Sequence, residues 1–276
     1  MRGLRSRSRR DCAGCTLVPA RRSAIPLRRS GFPAPRFFVL HPAGAGCGSA
    51  TLPPPRAESP NLMKILLARH GETPWNAEGR YQGQEDIALS PVGEAQARAL
   101  GERLRDVRID RAVASPLSRA RRTAELALGE TRMGMLSIDP GLMEIAHGTW
   151  EGLLAAEIGE RDPQRLLAWR DSPHEVLMPG GESLQHVFDR AWPALARAVA
   201  GLGPDDTALV VAHDAVNRVL LCHVLGIPLA RLWSFRQAPT TLNLLEGRDV
   251  DHLDVVRLND CSHHTPFFGE AVHRAL

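Results

Sequence analysis

Two histidines, His70 and His213, each follow a short run of apolar residues. The runs 63–68 and 208–212 have the length and continuous apolar character of buried β-strands. In open α/β sheets, binding sites lie beyond the carboxyl ends of the strands, so residues far apart in sequence can meet there. We therefore expect the two histidines to lie close together, although a single histidine after a strand is usually structural or solvated.

Arg69 and Gly71 flank the first histidine, in a segment that reads RHGETPWN over residues 69–76. A guanidinium offers two parallel donors to an anion, and a glycine lets backbone or ligand approach closely. The segment therefore suits an anion pocket. The alternative is an exposed loop in which arginine and histidine are adjacent by chance.

Two further segments carry residues that could act with the histidines. Residues 115–124 read SPLSRARRTA, which alone is typical of a basic surface helix. Residues 142–152 read LMEIAHGTWEG, which alone indicates a loop. Neither segment would identify a site without the others.

Taken in order, these segments and the VVAH sequence that ends at His213 resemble the histidine phosphatase superfamily. That superfamily includes cofactor-dependent phosphoglycerate mutases and many small-molecule phosphatases. Its RHGET signature is fairly specific, and here it accompanies SPLxRAxxTA and LxEIxxGxWEG in the right order. The resemblance runs from about residue 63 to about residue 258, roughly 70% of the chain, and does not include residues 1–62.

The resemblance implies a role for each matching residue. His70 aligns with the nucleophile that becomes phosphohistidine, and Glu144 aligns with the acid that protonates the leaving oxygen. The residues expected to hold the phosphoryl group or line its pocket are Arg69, Gly71, Thr73, Asn76, Arg119 and His213.

Elementary chemistry agrees with these roles. Phosphoryl transfer spreads negative charge over the equatorial oxygens, so two guanidinium groups and an imidazolium would stabilise it without a metal ion or a cofactor. The nucleophilic imidazole must be neutral, with an acceptor for its other nitrogen. A carboxyl group beside phosphate should have a raised pKa, which suits an acid that later acts as a base.

Some residues depart from the superfamily pattern or have no counterpart in it. Asp214 stands where glycine is commonest in the superfamily. We expect its side chain either to point away from the phosphate pocket, to orient His213, or to contact a substrate amine or hydroxyl. Asn217 also differs from the commonest residue. We expect His147, His263 and His264 to be exposed loop and tail histidines.

The lid is expected over residues 151–182, where the superfamily covers its pocket and sets substrate choice. The five tryptophans are expected to pack in the core or in this lid; they are Trp75, Trp150, Trp169, Trp192 and Trp233. The GES sequence at residues 181–183 is expected to be a turn before the next helix.

The strands and helices alternate along the chain, which predicts a three-layer α/β/α sandwich with a mostly parallel sheet. Further strands are expected at residues 112–114, 136–138, 242–245 and 253–256. Helix starts are expected where a capping residue precedes proline, at 90–91, 115–116 and 162–163. Amphipathic or apolar helices are expected over 184–199 and 214–225, the second ending at Gly226.

Residues 1–62 differ in composition from the rest. They contain eleven arginines, nine of the 21 prolines and two acids, for a net charge of 11 − 2 = +9. We expect a disordered extension that belongs to a mis-assigned start upstream of Met63. A transit peptide and an arginine-rich nucleic-acid arm are the alternatives, the arm being weakest because few aromatic residues could stack on bases.

The expected domain organisation is thus an extension (1–62), a catalytic domain (63–260) and a tail (261–276). The expected substrate is a small phosphorylated metabolite, with no nucleic acid or membrane partner, in a monomer or homodimer. Few cysteines and no membrane-length apolar run suggest the cytoplasm, or an organelle if the extension is a transit peptide.

Three other functions compete with a phosphatase. A phosphoglycerate mutase shares the chemistry, but mutases usually carry a longer, lysine-containing insertion after the acid. Only about thirty residues separate Gly152 from Glu182 here, and none is lysine. A non-catalytic phosphate-binding module would usually lack the nucleophile or an arginine. An arginine-tail nucleic-acid binder should lose its binding when residues 1–62 are deleted.

Overall fold

The computed structural model describes residues 61–265. The predicted extension lies outside this range apart from residues 61 and 62, and residues 266–276 of the predicted tail also lie outside it. Within the described range, no helix combines the length and the apolar character needed to cross a membrane.

A six-stranded sheet forms the centre of the fold, with strand order β3-β2-β4-β1-β5-β6. Strands β1 to β4 pair in parallel, and β5 and β6 add an antiparallel edge. The strands are β1 (Met63–Arg69), β2 (Arg111–Ala114), β3 (Leu136–Ile138), β4 (Thr207–Ala212), β5 (Leu242–Gly247) and β6 (Leu253–Asp260). Every predicted strand is confirmed, and the two C-terminal strands are longer than predicted.

Within residues 61–265, seven α-helices cover the sheet or extend from it. They are α1 (Pro74–Glu78), α2 (Pro91–Arg103), α3 (Ser118–Leu128), α4 (Ala155–Arg161), α5 (Pro163–Asp171), α6 (Leu184–Val199) and α7 (Asp214–Val224). Short 3-10 turns occupy Glu130–Met135, Pro140–Leu142, Gly148–Trp150, Pro173–Glu175 and Leu229–Ser234. The predicted helices over 184–199 and 214–225 correspond to α6 and α7.

Alternate residues of β1 face the two layers of helices, because successive side chains of a strand point to opposite faces. Ile65 and Leu67 belong to the buried cluster that includes α6 and α7. Leu66 and Ala68 belong to the cluster that includes α2 and α3. The predicted α/β/α sandwich is therefore confirmed.

One edge of the sheet receives both histidines. Strands β1 and β4 are parallel neighbours, with Arg69 opposite Ala212, so the residue after each strand emerges at the same end. The backbone N–H of His70 donates to the carbonyl of Ala212 at 3.0 Å, which extends the pairing by one residue. The sheet register alone thus brings His70 and His213 together.

Two of the three predicted helix caps differ from expectation. Ser90 caps α2 through the N–H of Gly93, as predicted. Helix α3 instead begins at Ser118, three residues after Ser115, so the Ser115 hydroxyl is too far back to cap it and instead bonds with His213. Asp162 precedes α5 but makes no side-chain cap, and it accepts from Arg165 at 2.7 Å.

Candidate active site

A cavity with an empty volume of about 470 Å³ opens at the carboxyl end of the sheet, beside His70. Of the predicted site residues, five line this cavity: Arg69, His70, Asn76, Arg119 and Glu144. They come from the end of β1, from α1, from α3 and from the segment after the Pro140–Leu142 turn. Asp214, directly after the fourth sequence segment, also lines the cavity, so the four segments meet as the resemblance implied.

His70 is held with one nitrogen anchored. Its Nδ1 lies 2.6 Å from the carbonyl oxygen of Gly71, which can only accept, so we assign the proton to Nδ1 and a lone pair to Nε2. Burial lowers the pKa of His70 well below its usual value, and the charges of Arg119 and Arg69 lower it further. The imidazole is therefore neutral near pH 7.

Arg69 and Arg119 are buried cations, at 2% and 0% exposure. Arg69 Nη1 donates to the Gln237 carbonyl at 2.5 Å. Arg119 donates from Nη2 to the Gly83 carbonyl at 2.6 Å and from Nη1 to the Glu85 carbonyl at 2.8 Å. Neither Nε has a hydrogen-bond partner among residues 61–265, so each guanidinium keeps a donor that an anion could use.

Glu144 lies in the same cavity with its carboxyl group buried. Its Oε1 accepts from the N–H of Ile145 at 2.9 Å, and its Oε2 lies 3.4 Å from the N–H of Ala215. Burial raises the pKa of Glu144, and the nearby charge of Asp214 raises it further. The carboxyl group can therefore stay protonated at a higher pH than an ordinary glutamate.

Comparison with known proteins agrees with this geometry. The family model described as "Histidine phosphatase superfamily (branch 1)" matches residues 65–261. The chain belongs to the histidine phosphatase superfamily. Its members transfer phosphoryl groups through phosphohistidine without a metal ion, which confirms the predicted enzyme class.

Individual members of the superfamily are similar over most of this chain. Phosphoserine phosphatase 1 of Hydrogenobacter thermophilus is 34% identical over 218 residues, 78% of this chain and 100% of that protein. YhfR of Bacillus stearothermophilus is 33% identical with a TM-score of 0.68, covering 73% of this chain and 98% of that one. A mycobacterial glucosyl-3-phosphoglycerate phosphatase is 30% identical with a TM-score of 0.65, covering 72% and 99%.

His213 lies beside the nucleophile candidate of this histidine phosphatase but does not itself line the cavity. The rings of His70 and His213 have centroids 5.1 Å apart, and His213 Nε2 lies 2.8 Å from the Ser115 hydroxyl. Burial, and next the charge of Arg119, lowers the pKa of His213 well below its usual value. The surroundings of His213 therefore favour its neutral form over the imidazolium expected from the sequence.

Gly71 and Thr73 shape the pocket rather than line it, which differs from the sequence expectation. A Cβ on Gly71 would lie 2.5 Å from the Gly93 carbonyl oxygen, so the residue must be glycine for α2 to approach. Thr73 caps α1: its hydroxyl accepts from the N–H of Asn76, and its own N–H donates to the Asn76 side chain. These reciprocal hydrogen bonds orient Asn76, which does line the cavity.

Two residues that position the Glu144 segment were missed in the sequence. Arg190 donates to the carbonyl groups of Met143 at 2.5 Å and Glu144 at 2.9 Å, and it also binds the carboxylate of Glu182 at 2.7 Å. Glu182 in turn accepts from the N–H of Ala146 at 2.9 Å. Glu182 belongs to the GES turn, but Arg190 gives no local signal because the carbonyl groups that it binds lie over forty positions away.

Asp214 faces the cavity and does not point away from it. Its Oδ1 accepts from Arg218 Nε at 3.0 Å, one helical turn further along α7, and lies 3.9 Å from Arg69 Nη1. Arg218 also donates to the carbonyls of Leu232 and Phe235. The acid that replaces glycine thus joins the phosphate side of the pocket to the Leu229–Ser234 turn.

We expect Asp214→Asn to lower the free energy of unfolding by about 3 kcal/mol, because removal of one partner leaves the buried Arg218 charge uncompensated. Urea denaturation measures the change. Asp254→Asn, at an exposed position of β6, is the matched control and should change stability by less than about 0.5 kcal/mol. The double variant with Arg218→Met should recover much of the loss. Equal stabilities for Asp214→Asn and the control would contradict the assigned ion pair.

His147 is buried, and the prediction of an exposed loop histidine was wrong. Its ring packs edge-on between Tyr81, at 5.1 Å between centroids, and Trp169, at 5.8 Å. Burial lowers its pKa to about 4. His263 and His264 are half-buried rather than exposed. The sequence motif over residues 142–152 predicts a loop at His147, but it does not show that Tyr81 and Trp169 pack against the ring and bury it.

The lid segment contributes to the cavity as the superfamily pattern predicted. Trp169, in α5, lines the cavity at 2% exposure, and Trp233 lines it from outside the predicted lid. The Trp233 indole donates to the Trp169 carbonyl at 3.0 Å, and the two rings meet edge-on at 5.3 Å. Two of the five tryptophans therefore form part of the site wall.

Proposed function

We propose that this histidine phosphatase hydrolyses small-molecule phosphomonoesters through a phosphohistidine formed on His70. The observation that carries the proposal is a neutral His70 with an anchored Nδ1, in one cavity with two buried arginines and a buried Glu144. The roles below are assigned to this chain's residues from that geometry and from the superfamily pattern.

In the first half-reaction, His70 Nε2 attacks phosphorus while the bond from phosphorus to the leaving oxygen breaks. Nδ1–H stays bonded to the Gly71 carbonyl, which stabilises the positive charge that the ring acquires. Arg69 and Arg119 hold the phosphoryl oxygens as charge redistributes over them. Glu144 gives its proton to the leaving alkoxide, which departs as an alcohol.

In the second half-reaction, water attacks the phosphohistidine. Glu144, now a carboxylate, accepts a proton from that water, and inorganic phosphate leaves as His70 returns to its neutral form. His213 and Asn76 are proposed to contact the phosphoryl oxygens, His213 becoming a donor through the nitrogen not bonded to Ser115. Both steps balance without a metal ion or a cofactor.

The superfamily relatives suggest candidate substrates. One similar protein is named for phosphoserine and another for glucosyl-3-phosphoglycerate, so either kind of ester is a starting point for this enzyme. Transfer to water rather than back to substrate is favoured by the short, lysine-free lid segment. We further propose a cytoplasmic monomer or homodimer whose cysteines are free thiols, as the described Cys222 and Cys261 are.

Release of inorganic phosphate from p-nitrophenyl phosphate and 3-phosphoglycerate, with EDTA present, tests the proposal. We expect steady release that the chelator does not reduce, because arginines supply the positive charge. A large loss with EDTA would indicate a metal phosphatase. Conversion of 3-phosphoglycerate to its 2-isomer with added 2,3-bisphosphoglycerate, without phosphate release, would indicate the mutase.

A further inference from the structure

Buried polar atoms without a partner concentrate around the cavity. Among the residues that the structure describes, nine such atoms occur, and five belong to residues that line the cavity. They are Arg69 Nε, Arg119 Nε, Gln82 Oε1, His147 Nδ1 and Trp169 Nε1. Since buried polar groups are nearly always paired, this concentration indicates a ligand with complementary groups. The arginine atoms serve the phosphoryl group, which leaves three for the rest of the substrate.

Those three groups carry no charge. The Gln82 amide oxygen is an acceptor, and the Trp169 indole nitrogen is a donor only. His147 is a neutral imidazole near pH 7, because burial lowers its pKa to about 4. Together they offer a substrate neutral donors and acceptors.

The other charged residues on the cavity wall already have counter-charges. Asp214 is paired with Arg218 at 3.0 Å. Arg80 is paired with Glu78 at 2.6 Å and also donates to the Gly152 carbonyl at 2.7 Å. Apart from the residues assigned to the phosphoryl step, the described wall therefore provides no uncompensated charge for a carboxylate or an ammonium group.

Aromatic rings hold two of these neutral groups, His147 and Trp169, in place. His147 packs edge-on against Tyr81 and Trp169, and Trp169 is fixed by an edge-on contact and a hydrogen bond from Trp233. Because the faces of aromatic rings are electron-rich, they attract the weakly positive C–H groups of a sugar or polyol. Rigid rings interleaved with neutral hydrogen-bonding groups suit such a ligand.

We propose that Gln82, His147 and Trp169 form a subsite for an uncharged, hydroxyl-bearing leaving group, so that the preferred substrates are sugar or polyol phosphates. A hydroxyl is both donor and acceptor, and can therefore satisfy Trp169 Nε1–H and Gln82 Oε1 alike. An ammonium or carboxylate would lose its hydration without gaining an opposite charge. The inference rests on the proposed phosphatase function and adds the substrate class.

A substrate panel tests the inference on the full-length protein. We expect kcat/KM for glucose 6-phosphate, ribose 5-phosphate or glycerol 1-phosphate to exceed that for O-phosphoserine, phosphoglycolate and 3-phosphoglycerate at least about tenfold. A preference for the charged leaving groups would overturn the inference while leaving the phosphatase function intact. If the protein turned over none of the panel, p-nitrophenyl phosphate included, the phosphatase function itself would be refuted. Calorimetric affinities for the same compounds would then still show whether the subsite prefers uncharged or charged leaving groups.

Trp169→Phe isolates one hydrogen bond of the subsite, because it keeps an aromatic ring and removes the N–H. We expect the ratio of kcat/KM for the best sugar phosphate to that for p-nitrophenyl phosphate to fall about tenfold. Trp192→Phe is the matched control, since Trp192 stacks on Phe188 and does not line the cavity. Its ratio should stay at the wild-type value. An equal ratio in both variants would exclude Trp169 from leaving-group recognition.

Discussion

His70→Ala is expected to lower turnover of every phosphomonoester by more than about a thousandfold, because no other described side chain presents a neutral nucleophile with an anchored tautomer in the cavity. The same variant should form no phosphoenzyme. Wild-type protein quenched in alkali during turnover should carry phosphate on His70, detectable by mass spectrometry as a modification that acid removes.

The control for this variant is His252→Ala, which removes an exposed histidine bonded to Asp249 in the turn before β6. It should keep wild-type turnover and phosphoenzyme formation. Far-ultraviolet circular dichroism should show both variants folded, because His70 lies at a strand end and not within the two apolar clusters. Residual turnover within tenfold of wild type in folded His70→Ala would rule out the covalent route.

The pairing of the two histidines was predictable because it follows from local pattern and one topological rule. Apolar runs mark β1 and β4, and parallel strands end at the same edge of a sheet. Arg119 and Glu144 needed the superfamily resemblance, since a basic helix and a loop alone carry no such information. Sequence therefore predicted which segments meet, and the sheet register explains why.

The prediction failed where a side chain's partner is distant in sequence. Ser115 looked like a helix cap, but the chain continues to Ser118 before α3 begins, and its hydroxyl bonds with His213 instead. His147 was expected to be exposed because it lies in a loop, but Trp169 packs against its ring and buries it. Capping and exposure are decided by tertiary packing that local patterns do not record.

Asp214 shows how a departure from a family pattern can acquire a structural reason. An acid beside a phosphate pocket would repel the substrate if its charge were uncompensated. Arg218, one helical turn later, lies 3.0 Å away, so Asp214 and Arg218 form one neutral unit near Arg69. The negative charge of Asp214 still acts on Glu144, whose pKa it helps to raise. The departure therefore supports the acid of the proposed reaction.

Glu144→Gln is expected to separate substrates by their leaving groups. An alkyl phosphate needs a proton on its departing oxygen, so its turnover should fall by about 10²–10⁴. Nitrophenolate is stable without that proton, so formation of phosphoenzyme from p-nitrophenyl phosphate should slow far less. The variant also lacks the base for water attack, so hydrolysis of its phosphoenzyme should be slow. Stopped-flow absorbance should therefore show a burst of nitrophenolate followed by a slow steady rate of nitrophenolate formation.

The pH dependence of kcat/KM tests the role of Glu144 as the acid independently. For an alkyl phosphate, wild-type kcat/KM should fall as pH rises through the pKa of Glu144, because only the protonated carboxyl donates, and the raised pKa moves this limb above the usual carboxyl range. The acid limb should lie well below the usual histidine range, because the pKa of His70 is lowered and its neutral form persists there. Glu144→Gln should lose the alkaline limb only. If the variant slows both substrates equally and keeps that limb, Glu144 holds the pocket in shape and another group supplies the proton.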